Sequence, residues 1–157
     1  QRNQGGANDI IMSIRNQTPE MKMIDSDTGL REIFRTLKAG GIVVIMQDLD
    51  ARKDGVITKF LGLPASTHEG IVKLYGKFKA PVVPVHYIRD KKNFSHHVVT
   101  MPEILSDKTD KNGRPFGEDL QGSLEMCNEV IEGWIRETPG QWMWLMDRWQ
   151  YTLGKNI

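Results

Sequence analysis

The sequence predicts an α/β domain: a layered, partly parallel central sheet flanked by helices. Three observations point there. Val- and Ile-rich runs bounded by Gly, Pro or Asp alternate along the chain with apolar residues at helical spacing, the pattern of βαβ units. The 157 residues hold no internal repeat, low-complexity tract or linker, so residues 1–157 read as a single domain. A chain of that size buries about two-thirds of its unfolded surface. Unbroken apolar runs such as Ile42 to Met46 are far short of the roughly 20 residues that cross a bilayer, which leaves the apolar residues for a core.

Asp9 to Asn16 reads as a short helix and Met21 to Ile24 as a first strand. Leu30, Ile33, Phe34 and Leu37 fall at i, i+3, i+4 and i+7, which predicts an amphipathic helix ended by Gly40-Gly41. Gly41 to Met46 follows as a strand. From Gln47 to Ser66 no strong period is present, and a loop of about twenty residues in a compact domain tends to be functional, so this is the expected substrate loop. Ile71, Leu74, Tyr75 and Phe78 mark a helix whose start is signalled by the capping box Ser66-x-x-Glu69. Pro81 to Tyr87 and His97 to Met101 are strands on composition. The strand at 42–46, the helix from Thr67 and the strand at 82–87 form the expected parallel crossover. Leu120, Leu124, Cys127, Ile131 and Trp134 predict a long helix. Trp142, Leu145, Met146 and Trp149 predict a last one, opened by Thr138-x-x-Gln141 with Pro139 at its first position. That stripe is expected to bury against the sheet, in preference to an interfacial belt of Trp134, Trp142, Trp144 and Trp149. Trp144 and Arg148, four apart, are expected to stack.

Composition removes several functions. With 21 basic and 20 acidic side chains the net charge is +1, and no global field draws the chain to nucleic acid. Cys127 stands alone, which excludes an internal disulfide and a multi-cysteine zinc site, and it reads as a small core residue. Lys108-x-Asp110-x-Asn112-Gly113 with Asp119 has the outline of a calcium loop, but a Lys occupies the first ligand position, where a carboxylate is required. There is no GxGxxG, GxxxxGK[ST] or GxSxG, so nucleotide-binding and serine-hydrolase readings have no support. No metal and no cofactor is expected.

Four segments carry a resemblance: Gln47-Asp48-Leu49-Asp50; Phe60-Leu61-Gly62-Leu63-Pro64-Ala65-Ser66-Thr67; Ala80-Pro81-Val82-Val83-Pro84-Val85; and Pro139-Gly140-Gln141-Trp142-Met143-Trp144 with Arg148-Trp149. In this order and spacing they resemble the bacterial lipid A biosynthesis acyltransferases of the lauroyl/myristoyl type, within the wider glycerolipid acyltransferase class. The resemblance implies a glycerolipid-acyltransferase-like fold. It also implies transfer of a fatty acyl chain from acyl carrier protein, or from acyl-CoA, to a hydroxyl of a glycolipid acceptor at the cytoplasmic face of the bacterial inner membrane. In that family the catalytic base sits in a His-x4-Asp/Glu motif. Five residues after His68, His86, His96 and His97 stand Lys73, Lys91, Met101 and Pro102, so no catalytic residue is expected in this chain. It opens on Gln1 in mid-pattern and is read as a C-terminal part, its N-terminal part missing, soluble and inactive by itself. The alternatives are acylation of another phospholipid or glycolipid, or a non-catalytic lipid- or protein-binding domain.

The candidate substrate-binding residues are Arg2, Arg15, Asp48, Lys59, Ser66, Thr67 and Arg148. Asp48 follows a strand, where α/β proteins gather ligands, and reads equally as a turn former until the resemblance tips it to a site role. Ser66 and Thr67, placed at a helix start, could seat an anion or merely cap. Arg2 and Arg15 lie where the resemblance implies a headgroup clamp, with Lys59 a weaker candidate of that kind. Arg148 matches an arginine of the family's closing motif, although Asp147 stands where that motif carries a second basic residue.

Overall fold

The computed structural model describes residues 6–15, 17, 22–24, 29–93, 95–101 and 104–154. The chain divides into two compact units, Gln1–Val43 and Val44–Ile157.

The first unit holds two helices, α1 (Gly6–Arg15) and α2 (Leu30–Lys38). Around α2, Glu32 accepts from Lys22 at 3.0 Å and from Arg35 at 2.9 Å. The helix stops where the sequence says it should. Gly40 takes φ +75°, Gly40 N–H bonds the Leu37 carbonyl at 3.1 Å, and Gly41 N–H bonds the Thr36 carbonyl at 2.9 Å. These are the paired bonds of a left-handed helix ending. Met21 lies outside the described residues, and 22–24 form no strand.

In the second unit the expected substrate loop folds instead into a hairpin. β1 (Val56–Phe60) pairs antiparallel with β2 (Leu63–Thr67), from Val56 opposite Thr67 to Phe60 opposite Leu63. Leu61 and Gly62 both take positive φ, +48° and +86°, the two-residue turn whose twist suits a hairpin. α3 (Gly70–Phe78) follows, then a second antiparallel hairpin of β3 (Val85–Arg89) and β4 (His96–Thr100), and finally α4 (Leu120–Glu137).

The fold is therefore mixed α/β, but all strand pairing among the described residues is antiparallel. No parallel pairing, and so no layered, partly parallel sheet, is seen among the described residues, and residues 41–47 are unassigned rather than a strand. β3 starts at Val85 rather than Pro81 because Pro81 and Pro84 have no N–H to give a ladder. Their neighbours are held singly: Val82 N–H to Ser106 Oγ at 3.1 Å, Leu105 N–H to Val82 O at 2.9 Å, and Met101 N–H to Pro84 O at 3.2 Å.

Helix starts differ too. Ser66 and Thr67 end β2, and α3 begins beyond them at Gly70, its N-cap residue Glu69 making no side-chain cap. α4 is capped by Asp119, whose Oδ2 accepts from Gly122 N–H at 2.7 Å. After α4 a single 3-10 turn, Pro139–Gln141, replaces the predicted last helix. Arg148 and Trp149 both turn inward, whereas Leu145 and Met146, which the predicted stripe would bury with Trp149, are exposed.

Two apolar clusters hold this unit together. One gathers Val72, Leu105, Phe116, Leu124, Met126 and Cys127, with Tyr75 edge-on to Phe116 at 5.2 Å. Burial pushes the Cys127 thiol up to about 12, so it stays protonated and inert. The other packs Phe60, Ala65 and Ile135 against Ile131, Trp142 and Trp149. Phe60 is fully buried, and burying such a side chain is worth about 1.5–3 kcal/mol. Around this second cluster the candidate residues meet.

Candidate functional site

Strand alternation decides which residues of the β1–β2 hairpin can belong to a site. Thr58 and Phe60 of β1 point inward and Lys59 points out. On β2 the last three residues, Ala65, Ser66 and Thr67, are buried. The hydroxyls of Thr58 and Thr67 lie 2.7 Å apart across the pair. Asn128, buried in mid-α4, donates to Thr58 Oγ1 and to the Lys59 carbonyl, both at 2.9 Å. This chain of bonds gives buried polar groups the partners that water would otherwise supply.

Arg148 closes the network. It is 1% exposed, and its guanidinium donates to the Ser66 carbonyl and, at 2.6 Å, to Thr67 Oγ1. Its central carbon lies 4.9 Å over the Phe60 ring. The expected stack on Trp144 does not form, because Arg148 faces the hairpin instead. Nε has no hydrogen-bond partner, and no carboxylate among the described residues comes within ion-pair distance. Burial lowers the arginine's proton affinity, and the charges of Asp50 and Asp48 partly restore it. A cation held dry beside, but not touching, two carboxylates is a local source of positive potential.

The loop ahead of β1 borders this cation. Gln47 is buried and donates to the His68 carbonyl at 2.8 Å. Asp48 is half-buried, and its Oδ2 accepts the indole N–H of Trp142 at 3.1 Å. Asp50 is tied rather than freely solvated: its oxygens accept from the main-chain N–H of Arg52 at 2.9 Å and of Tyr151 at 3.0 Å. Ser66 Oγ donates to the Arg52 carbonyl at 2.6 Å. Gly55 allows the close approach, since a Cβ there would sit 2.5 Å from Ala51 Cβ and 2.9 Å from the Thr67 carbonyl oxygen. His68 is exposed. Partial desolvation first, and the Arg148 charge second, hold its imidazole below the usual value, against the pull of Asp50 and Asp54.

Asp48, Ser66, Thr67 and Arg148, predicted from separate stretches of sequence, thus lie around one network. Lys59 faces away from it. Arg15 is in α1, and its side chain and all of Arg2 lie outside the described residues. Ser66 and Thr67 do not sit at a helix N-terminus, which removes the helix-end anion seat expected there. Among the described residues no imidazole bonds a carboxylate; His97 pairs with Ser95 at 3.1 Å, and His86 stacks on Trp134 at 4.0 Å. Gln47, Thr58 and Asn128 were not singled out as site residues by sequence. Of the three only Gln47 carried a signal, as part of the Gln47–Asp50 segment; Asn128 is a polar residue in mid-helix that meets its partner 70 residues away.

The polar outline of the calcium-loop segment is a turn. Asp110 accepts from Asn112 and Arg114 N–H at 2.8 and 2.9 Å, and the Arg114 guanidinium bridges it to Asp119. The Arg114 backbone N–H, foremost among these bonds, holds the Asp110 carboxyl below its ordinary range.

No curated protein matches the chain. A family model described as bacterial lipid A biosynthesis acyltransferase matches residues 2–151, across all four motif segments.

Proposed function

The chain belongs to the bacterial lipid A biosynthesis acyltransferase family, and from that premise we propose that it serves the transfer of a fatty acyl chain from an acyl carrier protein thioester, or acyl-CoA, to a hydroxyl of a lipid A precursor. Both units are parts of one acyltransferase domain that works at the cytoplasmic face of the inner membrane. The layered parallel sheet of the complete domain requires strands beyond the two hairpins. A base in a His-x4-Asp/Glu motif, which these 157 residues lack, takes the proton from the acceptor hydroxyl. The hydroxyl oxygen forms the new ester bond at the thioester carbonyl, the carbon–sulfur bond breaks, and the thiolate leaves with a proton. This chain supplies the acceptor side of that reaction. Asp48, held by the Trp142 indole, orients the polar headgroup, and the buried Arg148 keeps a positive potential under the same surface.

One observation carries this reading. The Asp48 segment, the Phe60–Thr67 hairpin and the closing Trp142–Arg148 segment converge through two long-range contacts, Trp142 to Asp48 and Arg148 to Thr67. The test incubates the chain with acyl carrier protein thioester and a labelled lipid A precursor, beside a polypeptide that continues upstream of Gln1 through the His-x4-Asp/Glu motif. Product is expected only from the longer polypeptide. Turnover by the 157 residues alone would place the base among His68, His86, His96 and His97. Acylation of a phospholipid in preference to the lipid A precursor would reassign the acceptor.

A further inference from the structure

The loop after α4 departs from the burial predicted for its apolar stripe. Met143, Trp144, Leu145 and Met146 are 63, 52, 97 and 45% exposed, four consecutive large apolar side chains in water. Single exposed apolar residues are ordinary; a contiguous run of four marks a contact surface. From this run, and resting on the reading that the acceptor is a membrane lipid, we propose that residues 143–146 insert into the interface of an anionic bilayer.

Three features fit a bilayer interface. First, the loop carries few unpaired donors into an apolar medium. Trp144 Nε1–H bonds the Pro139 carbonyl at 2.8 Å, Trp144 N–H the Trp142 carbonyl at 3.1 Å, and Met146 N–H the Met143 carbonyl at 3.0 Å. A donor already satisfied costs nothing further when water leaves. Second, the composition suits a fluid partner. Trp favours the lipid–water boundary, while unbranched Met adapts to irregular surroundings. Third, a cationic collar stands at the loop's base. The Gln141 side chain joins the main chain of Arg89, accepting at 3.4 Å and donating at 2.9 Å. Exposed Arg89, Lys91 and Lys92 thereby lie in the adjoining strand end and hairpin turn, where Asp90 caps the Lys92 N–H at 2.6 Å; exposed Asp147, directly after the loop, is the acid on its other side. An apolar tip with basic residues beside it is complementary to anionic headgroups above acyl chains.

The loop also touches the candidate site. Trp144 packs edge-on against Trp142 at 4.7 Å, and Trp142 holds Asp48. Insertion at 143–146 would therefore set the Asp48 side of the protein against the membrane surface, where a lipid headgroup lies.

The test is co-sedimentation of the chain with phosphatidylglycerol and with phosphatidylcholine vesicles, together with quenching of tryptophan fluorescence by lipids brominated near the headgroup. The vesicles contain neither acyl donor nor lipid A, so the result stands apart from the catalytic assay. The unaltered chain is expected to partition onto phosphatidylglycerol and to be quenched. Leu145→Asp, at a position that packs against almost nothing, should lower partitioning at least tenfold with an unchanged melting temperature, and Lys91→Glu with Lys92→Glu should remove the preference for anionic vesicles. Three outcomes overturn the proposal: no vesicle binding by the unaltered chain, equal binding by Leu145→Asp, or a Leu145→Asp effect confined to self-association measured by sedimentation.

Discussion

Arg148→Met separates the two explanations of a buried arginine. In the folded protein its guanidinium makes hydrogen bonds to Ser66 O and Thr67 Oγ1 and lies over Phe60. Charge-assisted bonds contribute about 1.5–3 kcal/mol each and a cation over a ring about 0.5–2 kcal/mol. Against these stands a desolvation cost of several kcal/mol for an ion with no carboxylate in contact. The two sides nearly cancel. Neither acceptor is orphaned by the substitution, since Ser66 O keeps the Ala51 N–H at 3.1 Å and Thr67 Oγ1 keeps the Thr58 hydroxyl at 2.7 Å. Arg148→Met, which preserves the length of the stem, is therefore expected to change stability by less than about 1.5 kcal/mol, like other volume-conserving replacements. Arg148→Ala leaves a cavity between Phe60 and β2 and should cost roughly 2–4 kcal/mol. In a domain of this size that lowers the melting temperature by roughly 5–15 °C. Thermal denaturation followed by circular dichroism reads both. If Met is as damaging as Ala, the guanidinium is a structural pin and the site role assigned to it fails; if Met folds normally while the complete enzyme loses acceptor binding, the charge is kept for ligand.

Three further expectations concern single positions. Asp48→Asn keeps an oxygen for the Trp142 indole but removes the charge, so acyl transfer by the complete enzyme should fall at least tenfold while the melting temperature stays within about 2 °C, less than 1 kcal/mol in a chain of this length; parallel losses of rate and stability would reduce Asp48 to a structural acceptor. Gly55→Ala forces a Cβ against Ser66 Oγ, Ala51 and the Thr67 carbonyl and should destabilise the β1–β2 hairpin by about 1–3 kcal/mol or more, seen as a lower urea midpoint; an unchanged midpoint would mean that the hairpin yields easily. Burial holds the His86 imidazole below its ordinary 6.5 against a weaker opposite pull from Glu137. The unfolded chain then takes up the proton first, so this contribution is present above about pH 6.5 and is lost as pH falls through the folded value. His86→Phe, which keeps an aromatic against Trp134, should flatten the fall of melting temperature between about pH 7 and 5; His68, shifted in the same direction, leaves part of the slope in place, and an unaltered slope would show that His86 titrates normally.

Local signals were legible where local physics decides. The 3.6-residue stripe of α2 and its Gly40-Gly41 ending were both readable, as was the apolar face of α4. The β1–β2 hairpin was not, because its turn places Leu61 at a positive φ where Asn, Asp or Gly would have announced it. Ser66-x-x-Glu69 has the letters of a capping box, but both hydroxyls of Ser66-Thr67 serve partners distant in sequence, Arg52 and Arg148, and so cannot cap α3. The motif positions Asp48, Ser66, Thr67 and Arg148, read one by one from the sequence, lie around one hydrogen-bonded network. What binds them together, Thr58 and Asn128, is written in no periodicity.

Trp142 explains why the closing segment is neither the buried helix expected of it nor a free loop. A helix from 142 to 149 would place Trp142 and Trp149 on one stripe with Leu145 and Met146. The hairpin gives the two indoles a better contact, since Phe60 meets both rings at 5.8 Å and the Trp142 N–H reaches Asp48. Arg148 must then face β2, and a chain fixed inward at 142, 148 and 149 leaves 143–146 to span the interval outward. Burial of the indoles and of the guanidinium on one hairpin thus goes together with an outward apolar loop: the polar network and the exposed tip are two sides of the same packing.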